Sequence, residues 1–203
     1  HDTAAHDRQP DHDSTSRITR TIVARSASVK CTWTGSDATE PAAAKASGTS
    51  AATTPPTGRI MLVNGVEAWV ETSSGRYAIS SQRYAPDVVH PVGRDLLVGF
   101  EHAPWPAWTF RLEGGIEVRQ ELVIPHERPM VILRWAVSGA PKGSRLIVRP
   151  LLSGRDTHAL HYENDTLATG AEVGGARVRW HTYEGYPAVL SLAAASYNHD
   201  PLW

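Results

Sequence analysis

Beyond residue 58 the apolar positions recur with a period of two, the mark of strands with one face buried. Residues 59–63 (Arg-Ile-Met-Leu-Val) and 66–70 (Val-Glu-Ala-Trp-Val) flank Asn64-Gly65. An Asn-Gly pair between two such runs predicts a β-hairpin, because a type I′ turn needs positive φ at both central positions. A strand over 76–80 follows Ser73-Ser74-Gly75. Residues 107–113 and 116–124 are joined by Gly114-Gly115, which predicts a second hairpin. In the latter run Ile116, Val118 and Gln120 share one face, while Glu117, Arg119 and Glu121 share the other. Residues 131–137 and 145–149 are rich in β-branched side chains, with a Gly139-Ala-Pro-Lys-Gly143 turn between them. Runs at 173–182 and 188–195 continue the pattern. No stretch holds an apolar stripe of helical period over three turns, and Pro and Gly interrupt too often for long helices. Many strands with short turns mean antiparallel pairing, since parallel strands would need crossover helices. The pattern predicts an all-β fold, an antiparallel β-sandwich.

Upstream the pattern is missing. Residues 1–57 hold no Leu, Met, Phe or Tyr, and their only large apolar residues are Ile18, Ile22, Val23, Val29 and Trp33. Such a segment buries too little apolar surface to offset an ordering entropy of about 1–2 kcal/mol per residue. It reads as a disordered, low-complexity N-terminal arm with one short strand around 18–23. The boundary falls near Thr57, giving an arm (1–57) and a β-sandwich domain (58–203).

Composition narrows the class. The 203 residues suit one moderate β domain, and 20 Lys plus Arg stand against 21 Asp plus Glu. That balance argues against a nucleic-acid partner, which shows itself as a basic patch. The one Cys, Cys31, supplies neither an internal disulfide nor a thiolate cluster. No apolar run approaches the roughly 20 residues of a membrane-spanning helix, so no membrane partner is expected. The chain starts at His1 without Met or a basic, apolar leader, and is read as a soluble, cytoplasmic piece of something larger.

Chemistry is concentrated in two places. Trp105-Pro-Ala-Trp108 brings two of the seven Trp into one Pro-bracketed segment. Indole faces stack on sugar rings, but core packing is the commoner use of any Trp. In an extended segment, residues an odd number apart face opposite ways, so one of Trp105 and Trp108 is expected in the core and the other at a surface or interface. The second place is Arg155-Asp156, with His158 and then Glu163-Asn164-Asp165, the densest polar cluster of the globular part. Arg and Asp pair bidentately and can hold a loop, so a structural role is at least as fitting as catalysis. His158 and His161 are spaced like metal ligands but have no third partner, and His1, His6 and His12 lie in the arm. No phosphate cradle, nucleophile elbow, cofactor motif or catalytic carboxylate pair stands out.

Several ordered motifs are similar to those of one known family. The stretch Arg149-Pro-Leu-Leu-Ser-Gly-Arg-Asp-Thr-His-Ala-Leu-His-Tyr-Glu-Asn164 resembles a signature of bacterial and archaeal-type glycogen debranching enzymes. Supporting matches are Pro55-Pro56-Thr57-Gly58-Arg59, Gln82-Arg83-Tyr84, Val89-His90-Pro91-Val92-Gly93, Trp105-Pro106-Ala107-Trp108-Thr109-Phe110, and the ending Tyr197-Asn-His-Asp-Pro-Leu-Trp203. The resemblance implies a β-supersandwich that precedes a helical α/α-barrel, the domain that hydrolyses α-1,6-linked glucose at glycogen branches. It implies no catalytic residue in this chain. It makes Trp105, Trp108, Arg155, Asp156, His158, Glu163 and Asn164 candidates for contact with glycogen, another α-glucan or the barrel. The alternatives are a free-standing carbohydrate-binding module and a structural remnant without a ligand.

The chain also departs from the family pattern. The family's Gly-rich opening and its Arg-Tyr-His-Gly-Leu-like strand are missing upstream of Ala51, where the arm stands instead; a shifted frame or a wrong gene start would explain it. Thr157 occupies the usual place of Tyr. A missing first strand would leave a sheet edge unpaired or the sandwich poorly closed.

Overall fold

The computed structural model describes residues 18–25 (as backbone), 60–156, 159–160 and 162–201. The rest of the arm, its boundary at Thr57, and His158 and His161 lie outside the described residues. Among the described residues thirteen strands follow one another: β1 (Ile18–Arg25), β2 (Ile60–Thr72), β3 (Gly75–Ala78), β4 (Ser81–Tyr84), β5 (Val88–Val92), β6 (Leu97–Glu101), β7 (Ala107–Arg111), β8 (Glu117–Val123), β9 (Met130–Ser138), β10 (Arg145–Asp156), β11 (Ala171–Gly174), β12 (Arg177–Trp180) and β13 (Val189–Ala193). They form an eight-stranded sheet in the order β11-β12-β13-β1-β9-β8-β7-β6, a three-stranded sheet β10-β2-β3, and the pair β4-β5. Every pairing is antiparallel. The fold is all-β, as the alternation predicts.

The two larger sheets face each other across two apolar clusters. In the first, Ala68, Val70 and Ile79 meet Trp108, Phe110, Val118, Leu133, Trp135 and Val137, with Leu146 and Val148 packed alongside. In the second, Leu62 from the start of β2 meets Val178, Trp180 and Val189, with Leu152 and Tyr197 against them. The long strands β2 and β10 thus roof both halves of the large sheet. Burying a large apolar side chain contributes about 1.5–3 kcal/mol, so these residues supply most of the drive to close the sandwich. One polar group enters the first cluster: Trp135 Nε1 donates to Gln120 Oε1 at 3.0 Å, from directly opposite positions on β9 and β8. That bond lets Gln120 sit on the inward face that its alternation assigns it.

The Gly114-Gly115 hairpin forms as expected, both glycines having positive φ (74° and 76°), with Ala107 opposite Glu121 and Arg111 opposite Glu117. The Asn64-Gly65 hairpin does not form. β2 runs straight through, with Gly65 opposite Leu151 and Val63 opposite Leu152, so Asn64 is an extra residue in a bulge. A second irregularity falls between Leu152 and Arg155 on β10. Bulges bend a paired ribbon, and here the bend carries β2 and β10 from one core cluster to the other. The Asn-Gly signal marks a local break in ordinary pairing; a long partner strand turned that break into a bulge instead of a reversal.

The strand around 18–23 exists and is longer, eight residues, and it lies in the middle of the large sheet and not at an edge. The unpaired edge expected from a missing first strand is therefore absent at that place. Strands β4, β5 and β6 carry no clean alternation: Pro91 and Gly99 interrupt them, and Val88, Val92, Val98 and Phe100 remain exposed. The β4–β5 pair is tied down by Gly93, whose N–H donates to Ser80 O and Ser81 Oγ at 3.0 Å each. A Cβ there would lie 2.6 Å from Ser80 N, so the close approach requires glycine.

Candidate functional site

The second bulge delivers the end of β10 to the surface, and Arg155 anchors the loop that leaves it. Its Nε donates to Asn64 Oδ1 at 3.2 Å, Nη1 to the carbonyls of Asp156 (3.1 Å) and Ala159 (2.9 Å), and Nη2 to Met61 Sδ at 3.2 Å. The two irregular points, Asn64 on β2 and Arg155 on β10, are thus tied to each other. Five donors in a rigid planar fork suit this task, and a Lys would satisfy fewer of these acceptors.

Asn164 organises the other side of the loop. Its Nδ2 donates to Tyr162 O (3.0 Å) and Tyr183 Oη (3.3 Å), and its Oδ1 accepts from Thr166 N (3.2 Å) and Thr166 Oγ1 (2.6 Å). The Tyr183 ring lies against Gly154, where a Cβ would approach Tyr183 Cδ2 to 2.1 Å. Tyr186 meets Tyr183 edge-on at 6.0 Å between ring centroids. Further along, Trp180 Nε1 donates to Tyr197 Oη at 3.2 Å, and Tyr197 Oη lies 2.9 Å from His199 Nδ1. Between the Arg155 and Asn164 anchors the loop holds up two apolar side chains, Leu160 at 80% exposure and Tyr162 at 75%. Glu163 is exposed beside them, and Asp156 closes β10 opposite Ile60.

The two indoles part as expected, Trp108 at 9% exposure and Trp105 at 39%. The cause differs from strand alternation: Trp108 is in β7, but Trp105 lies before it, outside any strand. Phe100 on the edge strand β6 leans on Trp108 at 5.4 Å between centroids. Exposed Val98, Phe100 and Trp105 therefore belong to one corner of the large sheet, far along the strand order from β12 and β13.

A further group escapes sequence reading. On the outer face of the three-stranded sheet Glu67 is only 3% exposed, accepting hydrogen bonds from Arg149 Nη1 (3.3 Å) and Tyr84 Oη (3.2 Å). Burial and the Glu67 charge raise the Tyr84 phenol above its ordinary pKa. Two guanidinium groups lie over the Trp69 ring, Arg76 Cζ at 4.4 Å and Arg149 Cζ at 5.4 Å from its centroid. Arg145 pairs with Glu71 on the same face. The signal for this ladder is present as Glu67 and Glu71 against Arg149 and Arg145, each pair four residues apart on one face, but it needs the β2–β10 register to be read. The large sheet's outer face carries a similar ladder, Glu101–Arg119–Glu121–Arg134. Hydrogen bonds from Arg119 hold the Glu101 carboxyl below its ordinary pKa.

In the first ladder each acid has its own Arg, whereas in the second Arg119 bridges Glu101 and Glu121, and Glu121 is shared with Arg134. Among the described residues no group of three His, Cys, Asp or Glu could hold a metal ion, and no helix is long and apolar enough to cross a membrane. In comparison with known proteins, a family model described as "Glycogen debranching enzyme N terminal" matches residues 48–203. No curated protein and no solved structure matches the chain.

Proposed function

The chain belongs to the glycogen debranching enzyme N-terminal family, and from that premise we propose that it is an accessory β-sandwich domain of a cytoplasmic debranching enzyme. It packs on a helical catalytic α/α-barrel and helps frame the groove that receives glycogen or another α-glucan. The observation that carries this reading is the pair of exposed apolar side chains Leu160 and Tyr162, beside backbone carbonyls that Arg155 (at Ala159) and Asn164 (at Tyr162) hold by hydrogen bonds. Water-exposed apolar side chains of this kind suit a protein interface better than a catalytic centre. Asp156 ends β10 and Glu163 is exposed, and hydrolysis of α-1,6-linked glucose needs two positioned carboxylates that the barrel provides.

The test supplies the barrel domain of a debranching enzyme as a separate chain and measures its binding to this one. Leu160→Ser with Tyr162→Ser is expected to weaken binding at least tenfold, about 1.4 kcal/mol or more. No binding, together with strong retardation in glycogen-containing gels that Trp105→Ala removes, would make the chain a free-standing carbohydrate-binding module instead. Incubated alone with limit dextrin, the chain is expected to release no glucose above a heat-killed control. Release that Asp156→Ala or Glu163→Ala abolishes would place catalysis here.

A further inference from the structure

The central strand of the large sheet comes from outside the segment that matches the family model. The match begins at residue 48, whereas β1 spans Ile18–Arg25. β1 pairs with β9 along its whole length, from Ile18 opposite Val137 to Arg25 opposite Met130, and with β13 from Ile22 opposite Ala193 to Arg25 opposite Leu190. β9 and β13 are not neighbours; β1 alone stands between them. Without it the sheet falls into a four-stranded unit, β9-β8-β7-β6, and a three-stranded unit, β11-β12-β13. The sandwich therefore contains a slot that accepts one extended strand, antiparallel to both walls.

That slot is defined by backbone pairing along both of its walls. Main-chain pairing is indifferent to which copy of the chain supplies the strand.

We propose that β1 exchanges between two copies of this chain, each inserting Ile18–Arg25 into the other's β9–β13 slot to give a closed, two-fold dimer. The connection permits it. β1 is joined to β2 by the 34 residues from 26 to 59, roughly 110 Å when extended. A globular unit of about 150 residues has a radius of gyration of only about 15 Å. The exchanged dimer makes the same strand pairs as the monomer, so the balance rests on how the connection's effective concentration compares with that of a second copy. For a tether of this kind the effective concentration is on the order of millimolar or below. Dilute folding fills the slot from the same chain, and concentrated folding fills it from a neighbour.

The experiment refolds the full chain from denaturant at about 5 μM and at about 1 mM, the first far below the upper estimate of the tether's effective concentration and the second near it. Mass is read by size exclusion with light scattering. A dimer fraction at least tenfold higher after concentrated refolding is expected, and monomer alone at both concentrations overturns the proposal. A disulfide trap identifies the surface. Thr19 stands opposite Ala136, and antiparallel partners lie about 4.5–5.5 Å apart at Cα, within disulfide reach. In the variant Thr19→Cys, Ala136→Cys, Cys31→Ser, oxidation is expected to give covalent dimer after concentrated refolding and a closed monomer after dilute refolding. Closed monomer in both cases, or dimers without the cross-link, means that β1 does not exchange.

Discussion

Gly154→Ala is expected to lower the stability of this domain by roughly 3 kcal/mol, the upper end of the range for overpacked sites. The new methyl would fall 2.1 Å from Cδ2 and 3.1 Å from Cγ of Tyr183, so the root of the ring is hit and not a flexible tip. Tyr183 has little room to retreat, being buried and holding Asn164 Nδ2 through its hydroxyl. The ring would have to swing out and release the Asn164 side of the loop. For a chain of this size the loss corresponds to a fall in Tm of about 6–12 °C. Thermal and urea unfolding measure it, and a Tyr183→Ala background isolates the cause. There the added methyl has space, and Gly154→Ala should cost less than about 1 kcal/mol, a coupling typical of residues in contact. An equal cost in both backgrounds would mean that backbone conformation, and not the ring, demands glycine at 154.

Trp135→Ala is expected to be more damaging still, about 3–5 kcal/mol from lost packing and the cavity it leaves. Trp135 is fully buried in the centre of the larger core cluster. Its removal also strips Gln120 Oε1 of the indole donor, adding about 1–3 kcal/mol for a buried polar group left unmade. The sum, about 4–8 kcal/mol, reaches into the lower part of the roughly 5–15 kcal/mol that holds a domain folded, so a large fall in stability and a measurable unfolded fraction at 25 °C are expected. Trp135→Phe separates the two contributions, since it keeps most of the volume and loses only the N–H. It should recover by about 1 kcal/mol or more when Gln120→Leu is added, because neither partner is then polar. Failure of Gln120→Leu to help would show that the amide is satisfied without the indole.

How far the fold was legible depends on whether the information was local. The Gly114-Gly115 turn and the two faces of 116–121 were readable because a hairpin and its alternation involve only neighbours in sequence. Asn64-Gly65 carried equally strong turn chemistry, yet its outcome was decided by Leu151 and Leu152, almost ninety positions away. The short strands β4 to β6 were unreadable because their apolar side chains face solvent as often as the core. At the candidate site, the density of Arg155, Asp156 and Asn164 pointed to a loop in which Arg155 and Asn164 do make hydrogen bonds. The parting of Trp105 and Trp108 was expected, but not which of them is exposed, because Trp105 lies outside any strand. Leu160 and Tyr162 were not legible, because a loop's apolar residue looks the same in sequence whether it is tucked in or held out. The Glu67–Arg149–Tyr84 group was hidden for another reason, its members being spread over three strands.

The position of β1 also sets a timetable for synthesis. Strands β6 to β9 follow one another as neighbours, and so do β11 to β13, so each set can pair as soon as it leaves the ribosome. β1 emerges before all of them, but Ala193, the partner of Ile22, is made near the other end of the chain. At about 5–20 residues per second, the first strand waits roughly 10–30 s for its second wall. Its other wall, β9, is complete only at Ser138. Until then nascent chains on one messenger carry β1 unpaired, and β13, the last-made of the described strands, is the one that finally encloses it.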